Sequence, residues 1–330
     1  MLSVIIPTHN RRDCVVRLLD ALGRQEQVSD TLEILVVVDG SSDDTAEVVN
    51  SRTWPFDVRV IEQPHKGQAA ARNLGARAAR GEVFVFLDDD MVPRPTFLQE
   101  LVVTLQEGAD GVIPALELGA WVPDTLLARE FGFWNRDAAR PGPDDEVHFE
   151  QVLFSANAIR RKWFEQMEGF DETFTAQGAY GNEDIELGHR LLKAGAVFRH
   201  QPRARAETEP VLDAGLVLRR ERQLARNDVR LVSKHPELGR EVFGHRLRES
   251  RIHRLVAPVL LVAPWLGALT APIRHALLFV ARRGFVGHLP YRVWFALRAI
   301  DYWRGVAASG GRPLVKATAH TGGVTQCSAS

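Results

Sequence analysis

The chain has 330 residues, 45% of them hydrophobic and 25% charged, proportions of an ordinary globular protein long enough for one large α/β domain plus an appendage. A formal net charge of -1 excludes a general nucleic-acid binder, which would carry a strong basic excess. Two distant cysteines, Cys14 and Cys327, exclude a disulfide framework and a Cys-x-x-Cys metal site and fit a reducing compartment.

Met1 enters a strand-like run with no basic leader, so the expected location is the cytoplasm. Strands are expected at Leu2 to Ile6, Glu33 to Val38, Val58 to Ile61, Val83 to Leu87 and Gly111 to Leu116. Helical periodicity fills the gaps over Arg12 to Gln25, Asp43 to Asn50, Gln68 to Arg80 and Thr96 to Glu107. Strand and helix alternating at this spacing predict a parallel sheet with right-handed crossovers, whose ligands sit at the carboxyl ends of its strands. Three of those ends are polar: Pro7-Thr8-His9-Asn10, Asp39-Gly40-Ser41-Ser42-Asp43, and Asp88-Asp89-Asp90.

The third end is the sharpest feature. The run Gly81 to Leu87 stops in three carboxylates, and strand alternation lets Asp88 and Asp90 share a face. Crowded carboxylates repel unless a cation sits between them, and hard oxygen ligands suit Mg²⁺ or Mn²⁺ bridging to a diphosphate. On spacing alone a solvated acidic turn before the helix at Thr96 stands equally, because acids at helix starts are favoured. The convergence of three polar strand ends favours a site.

From Ala120 to Glu150 the chain is rich in Pro and Asp and reads as a long surface loop, a lid or an acceptor-side insertion. A strand resumes over Phe154 to Asn157, a helix spans Asn182 to Ala194 and ends at Gly195, and an Arg-rich helix runs from Val211 to Ser233. The last quarter differs in kind. Between Arg240 and Arg304 eleven arginines face three acids, a local +8 against -9 elsewhere. Inside this region Leu255 to Ile273 carries no charge, and a second apolar stretch, His275 to Val280, precedes Arg282 and Arg283. Pro258, Pro264 and Pro272 would interrupt a spanning helix, so the segment reads as a re-entrant or interfacial element flanked by arginine and tryptophan. A helical hairpin packed on the rest of the chain, or in a homodimer interface, is the other reading. Beyond Ala308 the Gly-, Ser- and Thr-rich composition predicts a flexible tail. The expected division is an α/β domain over residues 1–210, a helical basic region over 211–305 and the tail over 306–330.

Five segments in order resemble family 2 glycosyltransferases of the GT-A fold: Val4 to Arg11, Val36 to Thr45, Gly67 to Gly75, Phe86 to Asp90 and Gly181 to Arg190. Each is weak alone, and together they cover about residues 1 to 210. The resemblance implies an α/β fold with a Rossmann-like, mostly parallel sheet flanked by helices and a C-terminal helical appendage. It implies an inverting, metal-dependent transfer of a sugar from a nucleotide-sugar donor to an acceptor hydroxyl. Pro7, Thr8 and Asp39 match the positions that hold the nucleobase. A carboxylate accepting from a pyrimidine imide N–H favours UDP- or dTDP-type donors. Arg72 matches an arginine near the diphosphate, and Asp88 to Asp90 match the metal signature. Asp90 is then the expected direct ligand of Mn²⁺ or Mg²⁺, with Asp88 and Asp89 orienting ribose or completing the shell. Asp184 matches the catalytic base, while Glu183 reads as a complement to the helix dipole.

One departure is plain. Where many relatives carry a metal-ligating histidine, this chain has Glu207 and Thr208, and His200 lies too early, so the third protein ligand stays open. The acceptor, whether lipid-linked, glycan or small molecule, is not legible. Contact with the cytoplasmic membrane face is an expectation from the apolar, basic last quarter. Two other functions compete. A nucleotidyltransferase would need a glycine-rich, basic phosphate loop where Pro7-Thr8-His9-Asn10-Arg11 stands. A non-catalytic nucleotide-sugar-binding or membrane-associated protein would have no use for Asp88, Asp90 and Asp184 together.

Overall fold

A computed structural model describes residues 1–26, 32–123, 125, 127–128, 146–209, 213–244, 246–247, 250–273 and 288–320. Most of the 120–150 loop and the second apolar stretch at 275–280 therefore lie outside the described residues. The chain forms two units. The first comprises residues 1–124, 128–179 and 183–211, and the second 125–127, 180–182 and 212–330.

The first unit alternates strand and helix as its hydrophobic periodicity dictates: β1 (Leu2–Thr8), α1 (Arg12–Leu22), β2 (Leu32–Asp39), α2 (Thr45–Ser51), β3 (Asp57–Gln63), α3 (Gln68–Ala78), β4 (Val83–Phe86), β5 (Met91–Pro93), α4 (Phe97–Gln106), β6 (Gly111–Leu118), β7 (Ala158–Arg160), α5 (Arg161–Gln166), α6 (Glu183–Lys193) and β8 (Phe198–Thr208). The eight strands form one sheet in the order β3-β2-β1-β4-β7-β6-β8-β5. Every residue of β1 is buried, as a central parallel strand covered on both faces requires. Alternation along it splits the core. Val4 and Ile6 join Leu18, Leu19 and Leu22 of α1 on one face. Ile5 joins Ala69 and Ala76 of α3, together with Phe84 and Phe86, on the other.

The parallel sheet expected from the alternation is mixed. Four pairings are parallel, β1 with β2, β1 with β4, β2 with β3 and β6 with β8, and three are antiparallel. Two three-residue strands, β5 and β7, cause the difference, being too short to show a period. The strand expected at Phe154 to Asn157 is displaced to Ala158–Arg160. The earlier residues do run beside β4, since Phe86 N donates to Asn157 O (3.0 Å) and Asp88 N to Ser155 O (2.8 Å). They turn instead of continuing the ladder, and regular pairing begins at Val85 with Ala158. Phe154 thereby packs edge-on to Phe86 and Phe170, with ring centroids 5.5 and 5.2 Å away.

The second unit is helical: α7 (Ala214–Lys234), α8 (Arg251–Val262), α9 (His288–Ala308) and α10 (Arg312–His320). Asp213 caps α7 by accepting from Leu216 N at 2.6 Å. A buried polar cluster ties the unit together. Asp228 accepts from Asn182 Nδ2 (2.7 Å) and from Tyr302 Oη (2.5 Å), and the Arg246 guanidinium stands 3.7 Å from it. Helix α10 corrects the expectation of a flexible tail from residue 306. Pro313 suits a first helical turn, Val315 N donates back to Gly311 O (3.1 Å), and Val315 is buried. Its apolar stripe is too short to stand out against the tail's composition. Residues 321–330 lie outside the described residues. The uncharged stretch from Leu255 is also broken: α8 is followed by a 3-10 segment, Pro264–Thr270, and the pair is bent by 120°. Among the described residues no single helix is long and apolar enough to cross a membrane.

Phe86 is fully buried and its ring meets Phe84, Phe154, Phe164 and Phe170. Phe86→Ala is expected to cost about 3–5 kcal/mol of unfolding free energy in urea titrations. A loss below about 1 kcal/mol would show that the cluster collapses to fill the space.

Candidate active site

The parallel register sets Thr8 opposite Val38 and Ile5 opposite Phe86, so the carboxyl ends of β1, β2 and β4 open at one edge of the sheet. Pro7, Thr8, Asp39 and the Asp88-Asp89-Asp90 run all lie there. Pro7 is buried in β1 opposite Val37. The Thr8 hydroxyl, 4% exposed, donates to Asp89 Oδ2 at 2.8 Å.

Asp39 organises the loop after β3. Its Oδ1 accepts from Gln63 Nε2 (2.7 Å) and Lys66 N (2.8 Å), and its Oδ2 from Gly67 N (2.8 Å) with His65 Nδ1 at 2.9 Å. Burial would raise its proton affinity, but the backbone and side-chain donors outweigh that and hold it below the ordinary carboxylate range. The loop can close this tightly because Gly67 has φ +102°, and a Cβ there would lie 1.9 Å from Thr175 O. His9 and His65 stack beside it with ring centroids 4.3 Å apart.

Two guanidinium groups organise the acids. Arg72, 2% exposed, donates to Asp88 Oδ1 (2.8 Å) and Glu183 Oε1 (2.9 Å), and Gln68 Nε2 reaches the same Asp88 oxygen at 2.7 Å. Arg72 was expected near the diphosphate, but its charge is directed onto two protein carboxylates. Glu183, expected only to complement the helix dipole, is 5% exposed and forms half of that clamp. On the other side Arg11 donates to Asp89 Oδ1 (2.8 Å) and, at 3.4 Å, to Asp90 Oδ2. Sequence reasoning assigned no role to Arg11, Gln63, His65 or Gln68. Arg11 and Gln68 both lie in segments that carry the family resemblance, which was the one signal that could have pointed to them.

Within this cluster five carboxylates, Asp88, Asp89, Asp90, Glu183 and Asp184, share two guanidinium groups. The shortage of positive charge is visible in the acids. Burial, followed in Asp89 by the opposing pull of Arg11 and repulsion from Asp90, raises Asp89 to about 7. Burial and Asp88 raise Asp90 to about 6. Burial and Glu183 raise Asp184, at the start of α6, to about 7, against the pull of Arg72. Asp184 Oδ1 accepts only from its neighbour Ile185 N (2.8 Å) among the described contacts.

The donor set fits a divalent cation. Asp88 Oδ2 and Asp90 Oδ1 lie outside the clamps, hard oxygens predominate, and the cluster is anionic. The end of β8 closes on the same place: Thr208 pairs with Met91, and Glu209 N donates to Asp90 O at 3.2 Å. Thr208 Oγ1 is buried without a hydrogen-bond partner. Glu207 is turned to Arg94 (2.8 Å) and Glu209 to Arg17 (2.6 Å).

Comparisons with known proteins bear on the family and the fold. The family model described as glycosyl transferase family 2 matches residues 3–167, and one for the N-terminal domain of galactosyltransferase matches residues 147–209. The chain is 31% identical over 279 residues to validoxylamine A glucosyltransferase of Streptomyces hygroscopicus subsp. jinggangensis, covering 74% of this chain and 63% of that protein. It is 28% identical over 233 residues to chondroitin synthase of Escherichia coli, covering 60% and 33%. The chain thus spans about three-fifths or less of the length of these relatives. Among solved structures it resembles a Pyrobaculum calidifontis mannosyltransferase in complex with GDP-Man and Mn²⁺, at 22% identity and TM-score 0.56 over 92% of this chain and 86% of that one. It also resembles TarS of S. aureus in complex with UDP, at 17% identity and TM-score 0.52 over 94% and 91%. These two likenesses are of fold, and the fold is GT-A.

An ordinary aspartate titrates near 3.8, far below Asp89 and Asp90 here. Between about pH 4 and 7 the folded protein therefore keeps protons that the unfolded chain has released, and stability falls as pH rises through that window. The metal-free protein is expected to melt about 5 °C or more lower at pH 8 than at pH 5.5. Arg11→Gln removes the cation between the two acids and should widen that gap. Scanning calorimetry at the two pH values checks both, and an unchanged gap in the variant would deny Arg11 this role.

Proposed function

Because the chain belongs to glycosyl transferase family 2, we propose that it transfers a sugar from a nucleotide-diphosphate sugar to an acceptor hydroxyl, with inversion at the anomeric carbon. The observation that carries this reading is the Arg72 clamp, which holds Asp88 of the aspartate run and Glu183, the neighbour of Asp184, on one guanidinium. Two acidic motifs far apart in the sequence are thereby fixed at one sheet edge.

In this reading Asp88 and Asp90 hold a divalent cation, Mn²⁺ or Mg²⁺, with Thr208 Oγ1 as an available third oxygen. That cation supplies Lewis-acid neutralisation of charge on the departing nucleoside diphosphate. Asp89, secured by Thr8 and Arg11, sets the position of the run between its two neighbours. Asp184 takes the proton of the acceptor hydroxyl. Its raised proton affinity suits that work, because a base that titrates near neutrality is a better proton acceptor than an ordinary carboxylate. Inversion follows if attack comes from the side opposite the leaving group in a single displacement. UDP- or dTDP-type donors are favoured because Asp39, at the end of β2, can accept from a pyrimidine imide N–H. All four of its acceptor positions are taken within the protein, so the base N–H takes the place now held by His65 Nδ1. The relatives in solved structures, bound to GDP-Man or UDP, support a nucleotide donor of this general class.

Asp184→Asn keeps the shape of the side chain and removes its basicity. Turnover is expected to fall by about 10²–10⁴-fold, while thermal stabilisation by nucleotide with Mn²⁺ persists. A variant that transfers sugar at the parental rate would remove Asp184 from the base role. Screening UDP-, dTDP- and GDP-sugars by thermal shift is expected to show Mn²⁺-dependent stabilisation by the first two. Stabilisation by GDP-sugars alone would overturn the assignment to Asp39, and the anomeric configuration of the product, read by proton NMR, tests inversion.

A further inference from the structure

The second unit leaves an apolar surface, preceded by two arginines, exposed to solvent. Along α8 the exposed residues are Arg251, Arg254, Leu255, Pro258, Val259 and Val262, the spacing of one helix face. The 3-10 segment continues the face with Trp265, Leu269 and then Ile273. Leu255 is 74% exposed, Leu269 70%, Trp265 66% and Val262 65%. The opposite face is anchored. His253, Ala257 and Leu260 are buried, and His253 Nδ1 accepts from Trp303 Nε1 at 3.0 Å. A Cβ on Gly267 would meet Arg304 Cδ at 2.3 Å, so the bent segment lies tightly on α9 and cannot roll its apolar side inward. Leu255 to Ile273 contains no charged residue. The hydroxyl of Thr270 is spent on Gly267 O at 2.7 Å.

We propose that this face beds into the surface of an anionic lipid bilayer, with α8 and the 3-10 segment lying in the interface plane. Three features select lipid over a protein partner. Protein interfaces carry roughly one hydrogen bond per 100–200 Å², yet from Leu255 to Ile273 the Trp265 indole is the one side-chain hydrogen-bonding group besides the paired Thr270 hydroxyl. Arginine at one end of an apolar face and tryptophan within it form the pattern of interfacial helices, the ring sitting at headgroup depth and the guanidinium groups at the phosphates. Arg251 and Arg254, exposed at the start of the face, carry positive charge complementary to anionic headgroups. The 120° bend suits two short arms lying flat and prevents them from acting as one straight span. The inference is independent of the proposed sugar transfer.

The test is co-sedimentation of the full chain with sucrose-loaded vesicles, either phosphatidylcholine alone or with about a third phosphatidylglycerol, at about 0.1 M salt. Binding to the mixed vesicles is expected, about tenfold or more tighter than to phosphatidylcholine, and partly retained at about 0.5 M salt because the apolar face remains buried. Leu255→Glu with Leu269→Glu should lower partitioning by about tenfold or more, with the far-UV circular dichroism spectrum unchanged. Val262→Asp provides an independent variant at another exposed position. Protein left in the supernatant with both vesicles would overturn the proposal. So would complete release by salt, which would reduce the contact to charge alone. A dimer in sedimentation velocity that the double variant dissolves, without lipid binding by the parent, would assign the face to a second copy instead.

Discussion

A guanidinium with 2% of its surface exposed is tolerable only when its charge is met by geometry, and Arg72 meets it twice. Removing one partner of such a buried pair costs about 3–5 kcal/mol, because the charge left behind has no solvent. The pairing constrains everything nearby. Asp88 is held at the end of β4 by Arg72 and Gln68 together, so the aspartate run cannot turn away as a solvated acidic turn would. Glu183 is the first residue of α6, and its ion pair fixes where Asp184, the next residue, can stand. The guanidinium also lies over the Phe170 ring at 5.4 Å, which ties the clamp to the aromatic core beneath the sheet edge.

Around this fixed point the charges do not balance. Arg72 serves Asp88 and Glu183, Arg11 serves Asp89 and Asp90, and Asp184 depends on the field of Arg72 alone. Burial first, and repulsion from neighbouring acids second, make three of these acids titrate far above the ordinary range. Asp39 is the contrast. It is as little exposed as Asp89 but less deeply enclosed, and it sits among backbone and side-chain donors that push it the other way. Donors that belong to the fold lower an acid, and like charges in a buried cluster raise one. The difference separates a carboxylate satisfied by the fold's own donors from carboxylates crowded against one another.

The central strands were legible because burial on both faces writes a continuous apolar run into β1, β2 and β4, and the polar residues that end those runs located the site. What escaped was whatever depends on distant partners. The roles of Arg72 and Glu183 are set by each other across 111 positions, and Arg11 finds Asp89 across 78. No local pattern announces either pairing. Likewise β5 and β7 are three residues each, stabilised by neighbours already in place, and their antiparallel pairing made a mixed sheet of one expected to be parallel. Helix α10 was lost in a window averaged with glycine and serine, although Pro313 and Val315 carry the local signal for its start and its buried side.

Thr208, near the place where the family resemblance leads one to expect a histidine, has a physical consequence under the proposed reading. A neutral hydroxyl contributes less to cation affinity than an imidazole, and Arg11 competes for the same Asp90 oxygen from within the protein. The protein alone therefore makes a weak cation site. A nucleoside diphosphate brings further oxygens and negative charge, which both ligate the cation and offer Arg11 a new anion. Each ligand strengthens the other by the same factor, as linkage between two binding equilibria requires. The cluster is then best understood as half of a site, with its electrostatics arranged so that the donor completes it.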